Sequence, residues 1–187
     1  MKKIIIVLVF TIPVLTQAQE QAFNKKYKPQ VDLSLIGGIQ NNKNFEATAP
    51  VYGVVISLEC PLIQTRKSHI RQQFSLIRQE GKKFTTLSVE INPQYKIIAS
   101  PAFELGVGPG AGLIFTNTSE DNKAIFSYGL GAGAIYHFKK FFIGLESRYA
   151  LTKKASFTNL NNKPGSVEDE NLNNLRTILK LGYKLYK

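Results

Sequence analysis

Tryptophan is absent from the 187 residues, cysteine occurs once and histidine twice. With Cys60 alone, no intrachain disulfide can form, and a zinc centre would have to assemble Cys60, His69 and His137 from positions without metal-ligand spacing. Acidic residues are scarce: 13 Asp and Glu stand against 24 Lys and Arg, a net charge of +11. Such an excess suits nucleic acid, acidic lipid or anionic lipopolysaccharide. The apolar run Ile4 to Leu15 is interrupted by Pro13 and falls short of the ~20 residues a spanning helix needs. Past it, no segment sustains a helical stripe at i, i+3, i+4 and i+7. The glycine-rich stretch Gly106 to Gly112 has no GxGxxG register and no following Gly-Lys-Ser/Thr, which excludes a phosphate loop.

What is present begins with Met1-Lys2-Lys3, the apolar run, and Thr16-Gln17-Ala18: a basic n-region, an h-region and a small-x-small cleavage site. The expectation is a signal peptide over 1–18 and a mature chain starting at Gln19. Export sets nucleic acid aside as a partner and leaves lipid and lipopolysaccharide. Residues 19–30, with Lys25, Lys26 and Lys28, read as a polar periplasmic tail, and 31–187 as a single domain.

Within that domain the hydrophobic period is two. Eight segments carry it, near 31–41, 50–62, 69–79, 84–98, 102–116, 126–138, 141–152 and 174–187, each bounded by Gly, Pro, Asn, Lys or Ser. On 102–116, Phe103, Leu105, Val107, Pro109, Ala111, Leu113 and Phe115 share one face, and Glu104 and four glycines share the other. From Phe103 to Phe115 the strand rises ~3.3 Å per residue, and at a tilt of ~40° this covers about 30 Å, close to the apolar band of an outer-membrane barrel with its aromatic girdles. A soluble barrel would have to show water its glycine face, whereas soluble surfaces are built from charge. The apolar set is therefore expected outward. The fold predicted is an all-β, eight-stranded, antiparallel up-and-down transmembrane β-barrel. Connections at 100–101 and 139–140 are short, and three of the four alternate ones, 42–49, 117–125 and 153–173, are long, Glu80-Gly81-Lys82-Lys83 being the exception, which puts both termini in the periplasm and the long loops outside. Pro93 and Pro109 fall inside strands and call for a bulge or a register change.

The stretches Phe74-Ser75-Leu76-Ile77-Arg78-Gln79-Glu80-Gly81, Leu87-Ser88-Val89-Glu90-Ile91-Asn92-Pro93-Gln94-Tyr95-Lys96 and Phe103-Glu104-Leu105-Gly106-Val107-Gly108-Pro109-Gly110-Ala111-Gly112 resemble the small outer-membrane barrel proteins of the PorT and OmpX-like type common in Bacteroidetes. The resemblance implies an outer-membrane location, and its PorT side implies an accessory part in protein export across that membrane.

Inward positions carry Asp32, Glu59, Glu90, Glu104 and Glu146 against Arg71, Lys96, Arg148, Arg176, Lys180 and Lys184. In the narrow lumen of eight strands such charges have to pair. A structural network of Glu90, Glu104, Glu146, Arg148, Arg176 and Lys180 is expected, with the inward glycines making room for long side chains from the opposite wall. No nucleophile, groove or metal ligand accompanies the carboxylates, so no catalytic, cofactor or metal site is expected, and no enzymatic activity. Arg78, Lys82, Lys83, Lys153 and Lys154 fall on the external side, where lipopolysaccharide phosphates could meet them. The connection 153–173 lacks alternation and reads as a solvated loop. The function expected is a monomeric scaffold displaying external loops, with a secretion or envelope protein as partner. A narrow OmpW-like channel and a secreted soluble lipid-binding barrel are the other readings the pattern admits.

Overall fold

Alternating side chains force each strand to present two unlike faces, and a sheet of such strands buries one of them by closing on itself. The computed structural model describes residues 30–42, 47–59, 70–81, 84–118, 120–158 and 167–186. Among these residues the regular structure is all β: β1 (Val31–Asn42), β2 (Ala47–Glu59), β3 (Ile70–Glu80), β4 (Thr85–Ile91), β5 (Gln94–Ala99), β6 (Phe103–Asn117), β7 (Asn122–Phe138), β8 (Phe141–Thr152), β9 (Ala155–Thr158), β10 (Val167–Glu170) and β11 (Asn174–Tyr186). β4 and β5 are two halves of one wall strand between β3 and β6. β1 pairs with both β2 and β11, so the ring closes as an eight-stranded antiparallel barrel.

The faces are inverted relative to a water-soluble protein. Leu35, Leu130 and Leu145 stand exposed on the outside at 66%, 69% and 56%, while Asp32, Arg71, Glu146, Arg148, Arg176 and Lys180 are buried within. Only an apolar surrounding medium makes that arrangement favourable, since exposing so large a continuous apolar surface to water is unfavourable by ~25 cal/mol per Å². A soluble lipid-binding barrel would have its apolar set inside. Aromatic residues gather at the terminus-side rim, where Phe141 meets Tyr183 at 5.1 Å and Tyr136 meets Phe138 at 4.7 Å between ring centroids. This is the girdle position of a transmembrane barrel.

The two strand prolines resolve into one feature. In the β4–β6 register Ile91 faces Ala111, and in the β5–β6 register Tyr95 faces Val107, so Pro93 and Pro109 stand opposite each other. Neither can donate to the ladder. Their lost bonds coincide at a single break between β4 and β5, and the register runs on unchanged across it. The bulge lies further on, between Lys96 and Ile98.

The connection 153–173 is where the sequence expectation fails. It contains the hairpin β9–β10, with Thr158 paired to Val167 and Ala155 to Glu170. Four-residue strands are too short to display a period, and tertiary contacts of Phe157 and Leu172 hold the hairpin in place.

Candidate functional site

The lumen is filled in layers. Nearest the termini, the strands β1, β3, β5, β6 and β7 point Asp32, Arg71, Lys96, Glu104 and His137 at one another. Arg71 Nη2 lies 2.9 Å from Glu104 and 3.4 Å from Asp32. Lys96 Nζ donates to Glu59 at 3.1 Å and to Glu104 at 3.3 Å, and His137 Nε2 stands 3.1 Å from Glu104.

The central layer holds the other expected charges. Arg176 grips Glu90 through both guanidinium nitrogens, at 2.7 and 2.6 Å, and Asn92 adds a donor to Glu90 at 3.1 Å. Lys180 Nζ donates to Glu146 at 2.6 Å and to Gln73 at 2.7 Å. Gln94 donates to Glu146 at 2.8 Å and accepts from Gln73 at 2.8 Å. Arg148 Nε reaches Glu146 at 3.3 Å. The structure thus brings Glu90, Glu146, Arg148, Arg176 and Lys180 together and places Glu104 in the terminus-side cluster. Gln73, Gln94 and Asn92, which a count of charges passes over, complete the hydrogen bonding; their signal in the sequence is inward parity alone.

Several inward glycines lie under side chains from strands one or two places along the wall rather than from the opposite wall. Arg148 on β8 is directly opposite Gly131 on β7, where a Cβ would come 2.8 Å from its guanidinium carbon, and its Nη1 overlies Gly110 on β6. The ring of Phe142 covers its partner Gly182 in the same way. These positions need glycine because a neighbouring side chain lies flat across the backbone.

Beyond the charges, Ile36, Val51, Val55, Ile77 and Ile178 form an apolar patch inside the barrel. Gln40 then donates to Gln79 at 2.7 Å and to Asn42 at 3.2 Å. The mouth at the long-loop end is stoppered by the hairpin: Phe157 and Leu172, 1% and 2% exposed, pack on Ile114 and Ile125. Thr152 Oγ1 accepts from the Leu172 N–H at 2.7 Å, and Asn173 Oδ1 accepts from the Thr152 N–H at 2.8 Å, fixing the hairpin's return leg. Its other leg is tied to the β6–β7 turn, where the Thr158 N–H donates to Asp121 Oδ2 at 2.6 Å. That bond, followed by the charge of Lys123, holds the Asp121 carboxyl below the usual aspartate range. Lys123 also sits 5.2 Å above the Phe157 ring.

Of the external cations, Arg78 is exposed and paired with Glu80 at 3.0 Å, and Lys153 and Lys154 are exposed at the foot of the hairpin. Lys82 and Lys83 lie outside the described residues, as do Cys60, His69 and the segment 1–29. Among the described residues no cluster of His, Cys, Asp or Glu is arranged to hold a metal ion.

No family model and no curated protein matches the chain. Solved structures do. The chain is similar to the crystal structure of Neisserial surface protein A, at 12% identity and a TM-score of 0.54 over 84% of this chain and 97% of that one. It is similar also to the N-terminal β-barrel domain of Pseudomonas aeruginosa OprF, at 13% identity and a TM-score of 0.50 over 84% and 99%. At these identities the likeness is one of fold, and the fold is that of small eight-stranded transmembrane β-barrels.

Proposed function

We propose that the protein is exported, loses residues 1–18 as a signal peptide, and resides in the bacterial outer membrane as a monomeric, non-enzymatic scaffold, with 19–30 as a periplasmic tail and 31–187 as the barrel. The observation that carries this reading is the packing of the described side chains into the lumen in successive layers, ending in the Phe157 stopper. A barrel closed in this way leaves the long-loop end and the lipid face as surfaces for work, and it speaks against an OmpW-like channel. Lys153 and Lys154, with Arg78 and the neighbouring Lys82 and Lys83, are suited to phosphates of lipopolysaccharide.

A second, finer reading is an accessory part in protein export, in the manner of PorT. The charge pattern of the hairpin favours it: Lys153 and Lys154 precede the first strand, and Asp169 and Glu170 lie in the second. The hairpin register sets Glu170 opposite Ala155, next to Lys154, and opposite charges gathered at one end of a hairpin steer and orient a docking protein. The test replaces Lys153, Lys154, Asp169 and Glu170 by Ser and keeps Phe157 and Leu172, so that the stopper survives. In the native host this variant should reach the detergent-requiring envelope fraction with heat-modifiable gel migration and fail to complement a deletion strain. Full complementation would place the function in the lumen, the lipid face or the periplasmic tail.

A further inference from the structure

We propose that the outer seam between β4 and β6 holds one phosphorylated glycolipid of the lipid A class, with an acyl chain lying along the wall and a phosphate at Arg78. The proposal rests on the outward face being the lipid face, and it gives the lipopolysaccharide contact a definite place. Register sets the seam out as a ladder of outward pairs. Thr85 faces Asn117 at the long-loop end, Leu87 faces Phe115 one step below, and the ladder narrows to Ile91 with Ala111 and then to Pro93 with Pro109 at the break. The flanking strands stay bulky at that level: Phe74 on β3 is opposite Ile91, and Tyr128 on β7 is opposite Ala111. Phe126 and Tyr128 stack with ring centroids 6.4 Å apart and wall the dip on the β7 side.

The outcome is a groove of about 550 Å³ on the outside of the wall, lined by Ile91, Pro93, Pro109, Ala111, Leu113 and Phe126 among others. A hollow of about 570 Å³ adjoins it on the same strands, nearer the loops, where Arg78, Thr85, Leu87, Phe115, Asn117 and Asn122 line it. Both volumes fall in the ~300–1,000 Å³ range of sites that take a ligand. The length of the apolar part matches a lipid of one leaflet. From Leu87 to Pro93 the strand climbs at ~3.3 Å per residue, which at a tilt of ~40° covers about 15 Å along the membrane normal. That is half of a hydrocarbon core ~30 Å thick. A chain entering at the rim therefore runs to the midplane, where the proline break closes the groove.

Polarity along the seam changes as it does along a lipid. Thr85, Asn117 and Asn122 share the top row, three neutral hydrogen-bonding side chains suited to sugar hydroxyls. Arg78, opposite Leu87, stands where the apolar steps begin. Its Nε bonds Glu80 at 3.0 Å and its side chain is 53% exposed, so much of the guanidinium stays accessible to a phosphate. Glu80 is in turn bonded at 2.6 Å by the Tyr52 hydroxyl of β2, on the side of β3 away from the hollow. In the orientation given by the loop lengths this end faces outward, and the outer leaflet there is built of lipopolysaccharide. The sugar-binding row and the leaflet both select a glycolipid over a glycerophospholipid.

The test uses the full chain folded in detergent, with heat-modifiable migration as the check on the barrel. Mixed with bisphosphorylated lipid A, the wild type should retain one molecule per barrel in native mass spectrometry, and phosphatidylglycerol at the same concentration should not displace it. Ala111→Phe fills the groove from the lipid side without entering the lumen and should weaken retention by roughly tenfold or more. Arg78→Gln should weaken retention of lipid A and leave that of its chemically dephosphorylated form unchanged. Lipid A carrying a photoreactive group in mid-chain should crosslink, in the wild type, to residues 89–93, 109–113 or 126–128. Equal retention by wild type and Ala111→Phe, equal displacement by phosphatidylglycerol, an Arg78→Gln effect that ignores the phosphates, or crosslinks spread around the wall would each overturn the proposal. The crosslinking arm decides the matter even if a variant does not fold. A folded barrel that fails these tests loses the lipid site alone, since the scaffold reading depends on fractionation and complementation in the native host.

Discussion

Glu90 and Arg176 lock two strands together across the lumen, and the lock is asymmetric in its energetics. Glu90→Ala leaves the buried guanidinium uncompensated, which typically destabilises by ~3–5 kcal/mol, whereas Glu90→Gln with Arg176→Met removes both charges and should destabilise far less. Reversible urea unfolding in lipid vesicles reads the difference; equal losses for the single and the double variant would show that the pair is a bystander. Period-two parity is what makes the charged residues legible, because it assigns each to a face. Which charges meet is a different matter. Glu90 and Arg176 are 86 residues apart and join only through barrel closure, so nothing local in the sequence separates Glu104 from the Glu146 group. The apolar patch is hidden for another reason. Where Val51 and Val55 of β2 point inward, Tyr52 and Ile56 point outward, so both faces of β2 carry apolar residues and its alternation is blurred; on β3 the inward Ile77 stands alone among Arg71, Gln73, Ser75 and Gln79.

The hairpin β9–β10 behaves as a separate element resting on the barrel, and its attachment through Asp121 predicts a pH dependence. A carboxyl held lower in the docked state than in the free chain stabilises docking at neutral pH, and that contribution is lost as pH falls below the ordinary aspartate value of about 3.9 and through the lower docked value. Amide exchange at Thr158, corrected for its intrinsic rate, should show protection at neutral pH that fades in acid, and Asp121→Ala should remove it at neutral pH as well. Protection unchanged in the variant would break the link. Phe157→Ala deletes the stopper's largest side chain, a change of ~3–5 kcal/mol in a well-packed site. Exchange should then accelerate at the β9–β10 amides and remain slow in β6, β7 and β8; acceleration throughout the barrel would mean that the stopper also holds the wall together. At this scale the wall strands are readable because they are long enough to repeat a pattern, and the hairpin is not, because its four-residue strands owe their shape to Ile114 and Ile125 beneath them. The proline break is half readable: each proline signals trouble, and only the register reveals that the two share one location.

Taken whole, the molecule is an inside-out protein, with its apolar surface facing outward and its charges packed in the centre. Leu145→Arg would put a guanidinium on the lipid face, at a cost of ~2–4 kcal/mol if the site lies at the bilayer midplane and progressively less toward either rim. The fold was legible in the sequence at this scale because strand length, faces and loop lengths all agree, while the layered lumen with its stopper was not, being a product of how the ring closes. The central claim is that the outward face meets hydrocarbon. It is tested most directly with spin labels at Leu105, Ala132 and Leu145, placed one at a time in a Cys60→Ser background and reconstituted in vesicles. Collision with oxygen dissolved in the bilayer should dominate over collision with a water-soluble nickel chelate at all three positions; dominant access to the nickel chelate at these positions would contradict the account.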